Sequence, residues 1–405
     1  MGFAQNLLGI VDDYVLLLLL AALPVAFLLG LKRRKRRRYL VADGDEPFAA
    51  TTAESMHPDE LPVEREDPDL VERVAVSRHI ADLMLADEWT EIAREMAEWE
   101  EKLESATGGA RYHDVAADVA LSGLQHLIDQ APHKAIEDLD DAEIEISYFD
   151  ETYQANPDNH ILAALAARAH LALGAACRAE LWPNDLRQDA WRRMAHHYVE
   201  AGDILKGFEP LAYMSPLLAE AHYLHALGSP GGTQHLPELF DAWIELDPAN
   251  PCIYECHAEW LADPANVSDD DILHLADQAM MRTENTFGTG GYALFFLPLL
   301  ERRDGARALL DRDLFATAML DLASTDASQA EINQTANALA AEMRIADTDC
   351  TALNDTLYVL IRWHLEVIYP RLWSLSEASI QALVRDAAEA VPDSGPIDDL
   401  FSKAA

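Results

Sequence analysis

The sequence predicts an all-α fold. Trp89, Ile92, Met96, Trp99 and Leu103 lie three or four residues apart and form one apolar stripe, with Glu91, Glu95, Glu98 and Glu101 largely off it. Turns rich in Pro, Asn and Gly separate this stretch from further helical stretches. No alternating run of six or more β-branched residues indicates a strand. The three observations together favour short helices packed as hairpins.

Residues 14–31 form an apolar segment of 18 residues without a charge. A helix of that length reaches about 27 Å, enough to span the hydrocarbon core of a bilayer. A cleaved signal peptide would place positive charges before the segment, but residues 1–13 hold only Asp12 and Asp13. We therefore predict one transmembrane helix over 14–31, after a short extracytoplasmic N-terminus over 1–13.

A basic cluster follows that segment at once, over 32–38. It consists of Lys32, Arg33, Arg34, Lys35, Arg36, Arg37 and Arg38. The positive-inside rule keeps such a cluster in the cytoplasm, which predicts a single-pass inner-membrane protein with its N-terminus outside and its body inside. The cluster either only fixes this topology or also contacts anionic lipid head groups at the membrane surface. An exported body with the opposite orientation is the alternative, and the basic cluster alone opposes it.

The next segment, 39–67, has the composition of a tether. It holds three prolines and nine acidic residues against one arginine, which predicts a disordered linker. The whole chain carries 71 acidic and 30 basic residues, a net charge of −41. Because so acidic a body repels phosphate backbones, the charge excludes a general nucleic-acid-binding protein.

Residues 68–347 are predicted to form a helical-repeat domain. The turn over 156–158 precedes a helical run from His160, and the turn over 247–251 precedes one over Cys252–Leu261. These stretches, NPDNHILAALAARAHLALG and LDPANPCIYECHAEWLADP, resemble tetratricopeptide-like α-solenoid proteins. The resemblance implies paired helices that form a protein-binding scaffold, and it brings no catalytic residue. No strict 34-residue period can be laid over the chain.

Two further features concern the extent of the repeat domain. A broader likeness, over about 83–300, is to an uncharacterised bacterial family of helical proteins, carried by LMLADEWTEIAREMAEWEEKLE and DPANPCIYECHAEWLADP. Residues 348–405 are predicted to hold two helices, around 353–369 and 376–391, and a disordered tail. The two helices either cap the array or form a small separate bundle.

Four residues are the candidates for a metal site. His222 and His225 share a helix face at i,i+3, and Cys252 and Cys256 do so at i,i+4, with Glu220 beside the first pair. Two facing helices could present these four ligands to zinc. Neither HExxH nor a paired CxxC occurs, so packing in the core is the favoured interpretation. We predict no metal and no cofactor.

Two other groups are interpreted as structural. Adjacent His196 and His197 point in different directions on a helix, so one should be exposed and one packed. The glycines Gly288, Gly290 and Gly291 are predicted to form a loop before a helix over 292–300. They do not form a phosphate site, since no strand precedes them and no Lys-Ser or Lys-Thr follows.

The functional prediction is a membrane-anchored scaffold or adaptor without enzymatic activity. A basic or amphipathic segment of a protein partner would bind its concave face. The anchoring side chains would come from the tryptophans, unless these lie in the core: Trp182, Trp191, Trp243 and Trp260. The alternative is a metal-dependent enzyme or sensor that uses the two histidines and two cysteines. The sequence does not predict an oligomeric state.

Overall fold

The computed structural model describes residues 60–178, 181–323, 327–345 and 351–390. Over these ranges the all-α prediction is confirmed, with 17 α-helices and no strand. The helices are α1 Pro68–Leu85, α2 Trp89–Lys102, α3 Tyr112–Gln130, α4 Asp140–Ala155, α5 His160–Ala176, α6 Arg187–Leu205, α7 Pro210–Tyr213, α8 Pro216–Gly228, α9 Leu236–Leu246, α10 Pro251–Leu261, α11 Asp269–Phe287, α12 Gly290–Arg302, α13 Ala306–Leu309, α14 Arg312–Leu322, α15 Gln329–Ile345, α16 Thr351–His364 and α17 Glu377–Ala390. Short 3₁₀ turns lie at Ile136–Leu139, Gly232–His235 and Pro370–Leu372.

Polar side chains cap the two helices that were predicted to follow the turns over 156–158 and 247–251. The Asn159 side chain accepts hydrogen bonds from the backbone N–H groups of Ile161 and Leu162 at the start of α5. Asn250 does the same for Cys252 in α10, where Pro251 occupies the first position. Each cap satisfies N–H groups that have no partner inside the helix. The two helices therefore begin within a residue of the predicted positions.

Helix α2 buries the apolar stripe read from the sequence. Trp89, Ile92 and Met96 are all buried in the core. Glu100 is buried as well, which the pattern did not indicate. Its carboxylate accepts hydrogen bonds from Ser215 Oγ at 2.8 Å and from the backbone N–H of Leu217 at 2.9 Å, so it supports the start of α8.

Most helices pack against their neighbours in the chain, as hairpins do: α4 against α5, α5 against α6, α11 against α12 and α16 against α17. The first apolar core runs from Ile80 to Ala221, and the second runs from Ala219 to Ala387 with Leu61 added. Helix α8 contributes residues to both cores, Leu217 and Leu218 to the first and Ala219 and Tyr223 to the second. Helix length varies from four to 19 residues, and no fixed repeat length emerges among the described helices.

A buried ion pair joins two turns far apart in the chain. Arg111, just before α3, donates from Nε to Asp247 Oδ2 at 2.6 Å and from Nη2 to Asp247 Oδ1 at 2.5 Å. Both side chains have no exposed surface. Arg111 Nη1 also donates to the carbonyl oxygen of Leu103 at 3.0 Å. The pair ties the first core to the second across 136 positions of sequence.

Residues 60–67 pack against the C-terminal helices, so the prediction of a disordered linker is wrong for this part of 39–67. Leu61 is buried, and its backbone N–H and carbonyl both bond to the Gln381 side chain, at 3.2 and 2.8 Å. Val63 forms a parallel β-bridge with Ile368. Leu61 and Val63 provide apolar contacts that the mean composition of the linker hides, and Asp67 caps α1. Residues 39–59 lie outside the described part.

The C-terminal helices belong to the second core and do not form a separate bundle. Leu353 and Leu357 of α16 and Ile380 and Val384 of α17 are buried in that core.

None of the helices in the described ranges is long and apolar enough to cross a membrane. The predicted transmembrane helix over 14–31 and the basic cluster over 32–38 lie outside those ranges.

Candidate acidic binding site

Side chains from α3, α5, α8 and α10 meet in one place, which we call the acidic recess. It is formed by Asp114 and Asp118 of α3, Arg168 of α5, Glu220 of α8 and Cys252 of α10. Arg168 Nη1 lies 3.2 Å from Glu220 Oε2, and Arg168 Nη2 lies 3.4 Å from Asp118 Oδ1. Cys252 is close enough to Glu220 and Asp114 for their charges to act on its thiol. The recess thus gathers three carboxylates around one guanidinium.

Asp118 is the most exposed carboxylate of the recess. The Asp118 side chain is 64% exposed. Arg168 and Glu220 lie deeper, with side chains 12% and 8% exposed. A ligand entering the recess would therefore meet Asp118 first.

Burial also raises the pKa of Glu220, to about 7. The positive charge of Arg168 opposes this shift, while the negative charges of Asp114 and Asp118 add to it. Glu220 therefore gains its full negative charge only above neutral pH. The charge of the recess changes across the physiological range as a result.

Local sequence explains how these groups are positioned. Asp114 and Asp118 are separated by four residues, so both lie on one face of α3. Asp114 Oδ2 accepts a hydrogen bond from Asn250 Nδ2 at 2.7 Å, and the same Asn250 caps α10. This contact brings the start of α10, with Cys252, to the recess. Arg168 lies in α5, a helix otherwise built mainly of alanine and leucine.

The chemistry of the recess suits a cation. With Glu220 ionised, three negative charges face one positive charge, so an anion would be repelled. Lysine and arginine side chains carry the donors that a carboxylate such as Asp118 accepts.

Sequence reasoning missed most of this site. Glu220 was named, but only as a neighbour of the possible metal ligands, and Asp114, Asp118 and Arg168 were not singled out. The available signal was one arginine within the Ala- and Leu-rich run of α5. Which carboxylates would reach it depends on the packing of three helices and cannot be read from local spacing.

The four candidate metal ligands do not come together in one place. His222 Nε2 lies 2.9 Å from the carbonyl oxygen of Phe208, and His225 Nε2 lies 3.0 Å from that of Tyr198. Cys252 Sγ and Cys256 Sγ are 3.9 Å apart, at the other helix. Across the residues that the structure describes, no group of three or more His, Cys, Asp or Glu side chains could hold a metal ion.

The two histidines instead line an open cleft of about 410 Å³, together with His235 and Glu238. Burial lowers the pKa of His225, which keeps this ring neutral at physiological pH. Its hydrogen bond to the Tyr198 carbonyl is a packing contact between α8 and α6.

His257, next to Cys256, is a core histidine. Its ring stacks on Phe240 with centroids 3.9 Å apart, and Tyr223 Oη lies 2.9 Å from its Nδ1. Burial lowers the pKa of His257 to about 3, so the ring is neutral. The structure thus supports the core interpretation for this residue.

The glycine turn before α12 contains a carboxylate contact. Asp321 Oδ2 of α14 accepts hydrogen bonds from the Thr289 backbone N–H at 2.7 Å and from Thr289 Oγ1 at 2.8 Å. The helix begins at Gly290, two residues earlier than predicted, because a Cβ at Gly291 would lie 2.0 Å from Thr283 Oγ1 and only glycine permits this packing.

The other single residues divide between core and surface. His197 is buried and His196 is exposed, as predicted. Trp182 and Trp243 are buried and Trp260 is half-buried. Of the four tryptophans considered as anchors, Trp191 of α6 is exposed, at 54%.

Comparison with known proteins gives no match: neither a protein-family model, nor a curated protein, nor a solved structure is similar to this chain. Within the described ranges, fold and site define a helical protein with a cluster of three carboxylates around one arginine, of which Asp118 is exposed.

Proposed function

We propose that this protein is a membrane-anchored, tetratricopeptide-like helical scaffold that binds a lysine- or arginine-rich segment of a partner protein in the acidic recess. The observation that carries the proposal is the convergence of Asp114, Asp118 and Glu220 around Arg168, with the Asp118 carboxylate exposed at the surface. Paired-helix packing supports it, because helical scaffolds bind extended segments on concave surfaces.

The order of burial suggests how a cationic side chain binds. Asp118, the most exposed of the three carboxylates, accepts hydrogen bonds from the incoming ammonium or guanidinium group. Glu220 lies beneath and supplies a second negative charge when ionised. Arg168 holds Asp118 and Glu220 apart from one another and keeps their mutual repulsion low.

We expect Asp118→Lys to weaken binding of an arginine-rich peptide by about tenfold or more, since it places a like charge at the mouth of the recess.

The affinity for this peptide should also rise with pH through about 7, as Glu220 with its pKa of about 7 becomes charged. Glu220→Gln should remove this rise. Fluorescence anisotropy of a labelled peptide, titrated with the full chain in mild detergent, measures both effects.

Asp304→Lys is the matched control, because Asp304 is an exposed aspartate in the turn after α12. It makes the same change in net charge at a position outside the recess. If both lysine variants weakened binding equally, the attraction would be a general effect of the −41 charge and the recess would have no specific role.

We also propose that residues 14–31 anchor the chain in the inner membrane, with the acidic body in the cytoplasm. The supporting observation is the order of the apolar segment and the seven basic residues that follow it. Alkaline phosphatase and a cytoplasm-active fluorescent protein would each be fused to the C-terminus of the full chain. The fluorescent fusion should fluoresce and the phosphatase fusion should be inactive. The reverse pattern would place the body in the envelope and contradict a cytoplasmic partner.

A further inference from the structure

A buried chain of hydrogen-bonding groups links α4, α5 and α6. His170 Nδ1 and His197 Nδ1 are 3.0 Å apart. At the far side of each ring, His170 Nε2 lies 3.0 Å from Asp150 Oδ1, and His197 Nε2 lies 3.2 Å from Glu143 Oε1. Both rings are almost fully buried, at 4% and 1% exposure. The four groups belong neither to the acidic recess nor to the histidine-lined cleft.

Hydrogen-bond geometry fixes how many protons this pair holds. Each Nε2 faces a carboxylate oxygen, which only accepts, so each Nε2 carries a hydrogen. The two Nδ1 atoms face each other, so one donates and the other accepts, and a single hydrogen lies between them. The two rings together therefore hold three ring hydrogens and share one positive charge, flanked by two carboxylates.

The surroundings match that charge. The hydrogen bond from His197 lowers the pKa of Glu143, which keeps this carboxylate ionised. Arg193 Nη2 lies 2.9 Å from Asp140 Oδ1, and Arg193 Nη1 lies 3.6 Å from Glu143 Oε1. The titratable and charged groups around the pair are Asp140, Glu143 and Asp150 of α4, Cys177 at the end of α5, Arg193, His196 and Glu200 of α6, and His225 of α8, which contacts Tyr198.

We propose that His170 and His197 form a one-proton latch that holds α4, α5 and α6 together and opens when the pair gains a further proton or loses the shared one. With a fourth hydrogen the two Nδ1 atoms both donate, and N–H faces N–H at 3.0 Å. With only two hydrogens, either the two Nδ1 lone pairs face each other or one Nε2 lone pair faces a carboxylate. Either loss leaves buried polar groups unpaired, which is costly.

The sign of the pH dependence follows from proton counts. An unfolded histidine titrates near about 6.5, so in acid the opened helices hold two positive charges where the latch holds one. Opening then takes up a proton, and the latch weakens as pH falls. Two neutral opened rings hold one proton fewer than the latch, so opening in base releases a proton and the latch weakens as pH rises. The latch is therefore most stable near about pH 6.5, where opening neither takes up nor releases a proton.

Hydrogen–deuterium exchange of the full chain, between about pH 5 and 8 and corrected for the intrinsic exchange rate, tests the latch. We expect protection in α4 and α6 to pass through a maximum near about pH 6.5. It should fall about tenfold or more toward each end of the range. A wild-type profile that is flat, or that changes in one direction only, overturns the proposal.

Variants assign the effect to the pair. His170→Gln and His197→Gln should remove the maximum, whereas His196→Gln, which changes the exposed neighbour of His197, should keep it. A maximum that persists in either of the first two variants belongs to other groups and also overturns the proposal. If a variant fails to fold, nitrogen NMR of the wild-type rings still decides, because the latch requires one shared proton on the two Nδ1 atoms at neutral pH. Peptide binding to the recess is a separate measurement, so either proposal can fail alone.

Discussion

Replacing Arg111 with methionine should lower the free energy of unfolding by about 3 to 5 kcal/mol, the loss typical of a buried ion pair deprived of one partner. Asp247 would remain fully buried, without the two hydrogen bonds that Arg111 donates. The carbonyl oxygen of Leu103 would lose its bond to Nη1 as well. Because the pair links the two apolar cores, both cores should be destabilised together. Urea unfolding of the full chain measures the change.

Two control variants separate the effect of the stranded charge from lost packing. Adding Asp247→Leu to Arg111→Met should recover much of the stability, since replacing both members of a buried pair by apolar residues is often neutral. Arg94→Met, in an exposed pair with Glu91 and Glu98, should cost less than about 1 kcal/mol. A loss in Arg111→Met no larger than in Arg94→Met would show that the buried pair does not join the cores.

Asn333→Leu should lower the free energy of unfolding by about 3 kcal/mol or more, because several buried polar groups lose their partners at once. Asn333 Oδ1 accepts from the backbone N–H of Tyr369 and from Trp373 Nε1, at 3.0 and 2.7 Å. Its Nδ2 donates to the carbonyl oxygens of Gln329 and Val367. Leucine fills similar space but makes none of these bonds.

The destabilisation caused by Asn333→Leu should appear first in the segment 364–374, which three amide side chains of α15 hold in place. Gln329, Asn333 and Asn337 lie four residues apart and all bond to this segment. Hydrogen exchange should therefore quicken there before global unfolding. Asn266→Leu is the matched control, because Asn266 is exposed and donates one side-chain bond to the Trp260 carbonyl. Equal losses in the two variants would contradict the role assigned to Asn333.

Local physical chemistry explains which parts of the fold could be predicted. The stripe of α2 and the caps at Asn159 and Asn250 depend on residues within one turn of a helix, and these are visible in the sequence. The docking of 60–67 was missed for a related reason. Two apolar residues, Leu61 and Val63, decide it, while nine acids and three prolines dominate the composition.

The sites depend on long-range packing and could not be predicted in the same way. Spacing correctly places His222 and His225 on one helix face, but their contacts are the backbone carbonyls of Phe208 and Tyr198. Spacing also places Asp114 and Asp118 together without indicating that Arg168, 50 residues beyond Asp118, reaches them. An ion pair across 136 positions, such as that of Arg111, leaves no periodic signal at all.

The central functional claim is that a cationic segment of a partner protein binds in the acidic recess. A photo-cross-linking amino acid at position 118 of the full chain, expressed in its native cell, tests this most directly. The same group at position 304 is the control. We predict that position 118 alone yields a protein adduct, that mass spectrometry finds the adduct on a lysine- or arginine-rich peptide, and that added polyarginine competes it away. Equal adducts from both positions, or adducts on acidic peptides that polyarginine does not displace, would contradict binding of a cationic partner in the recess.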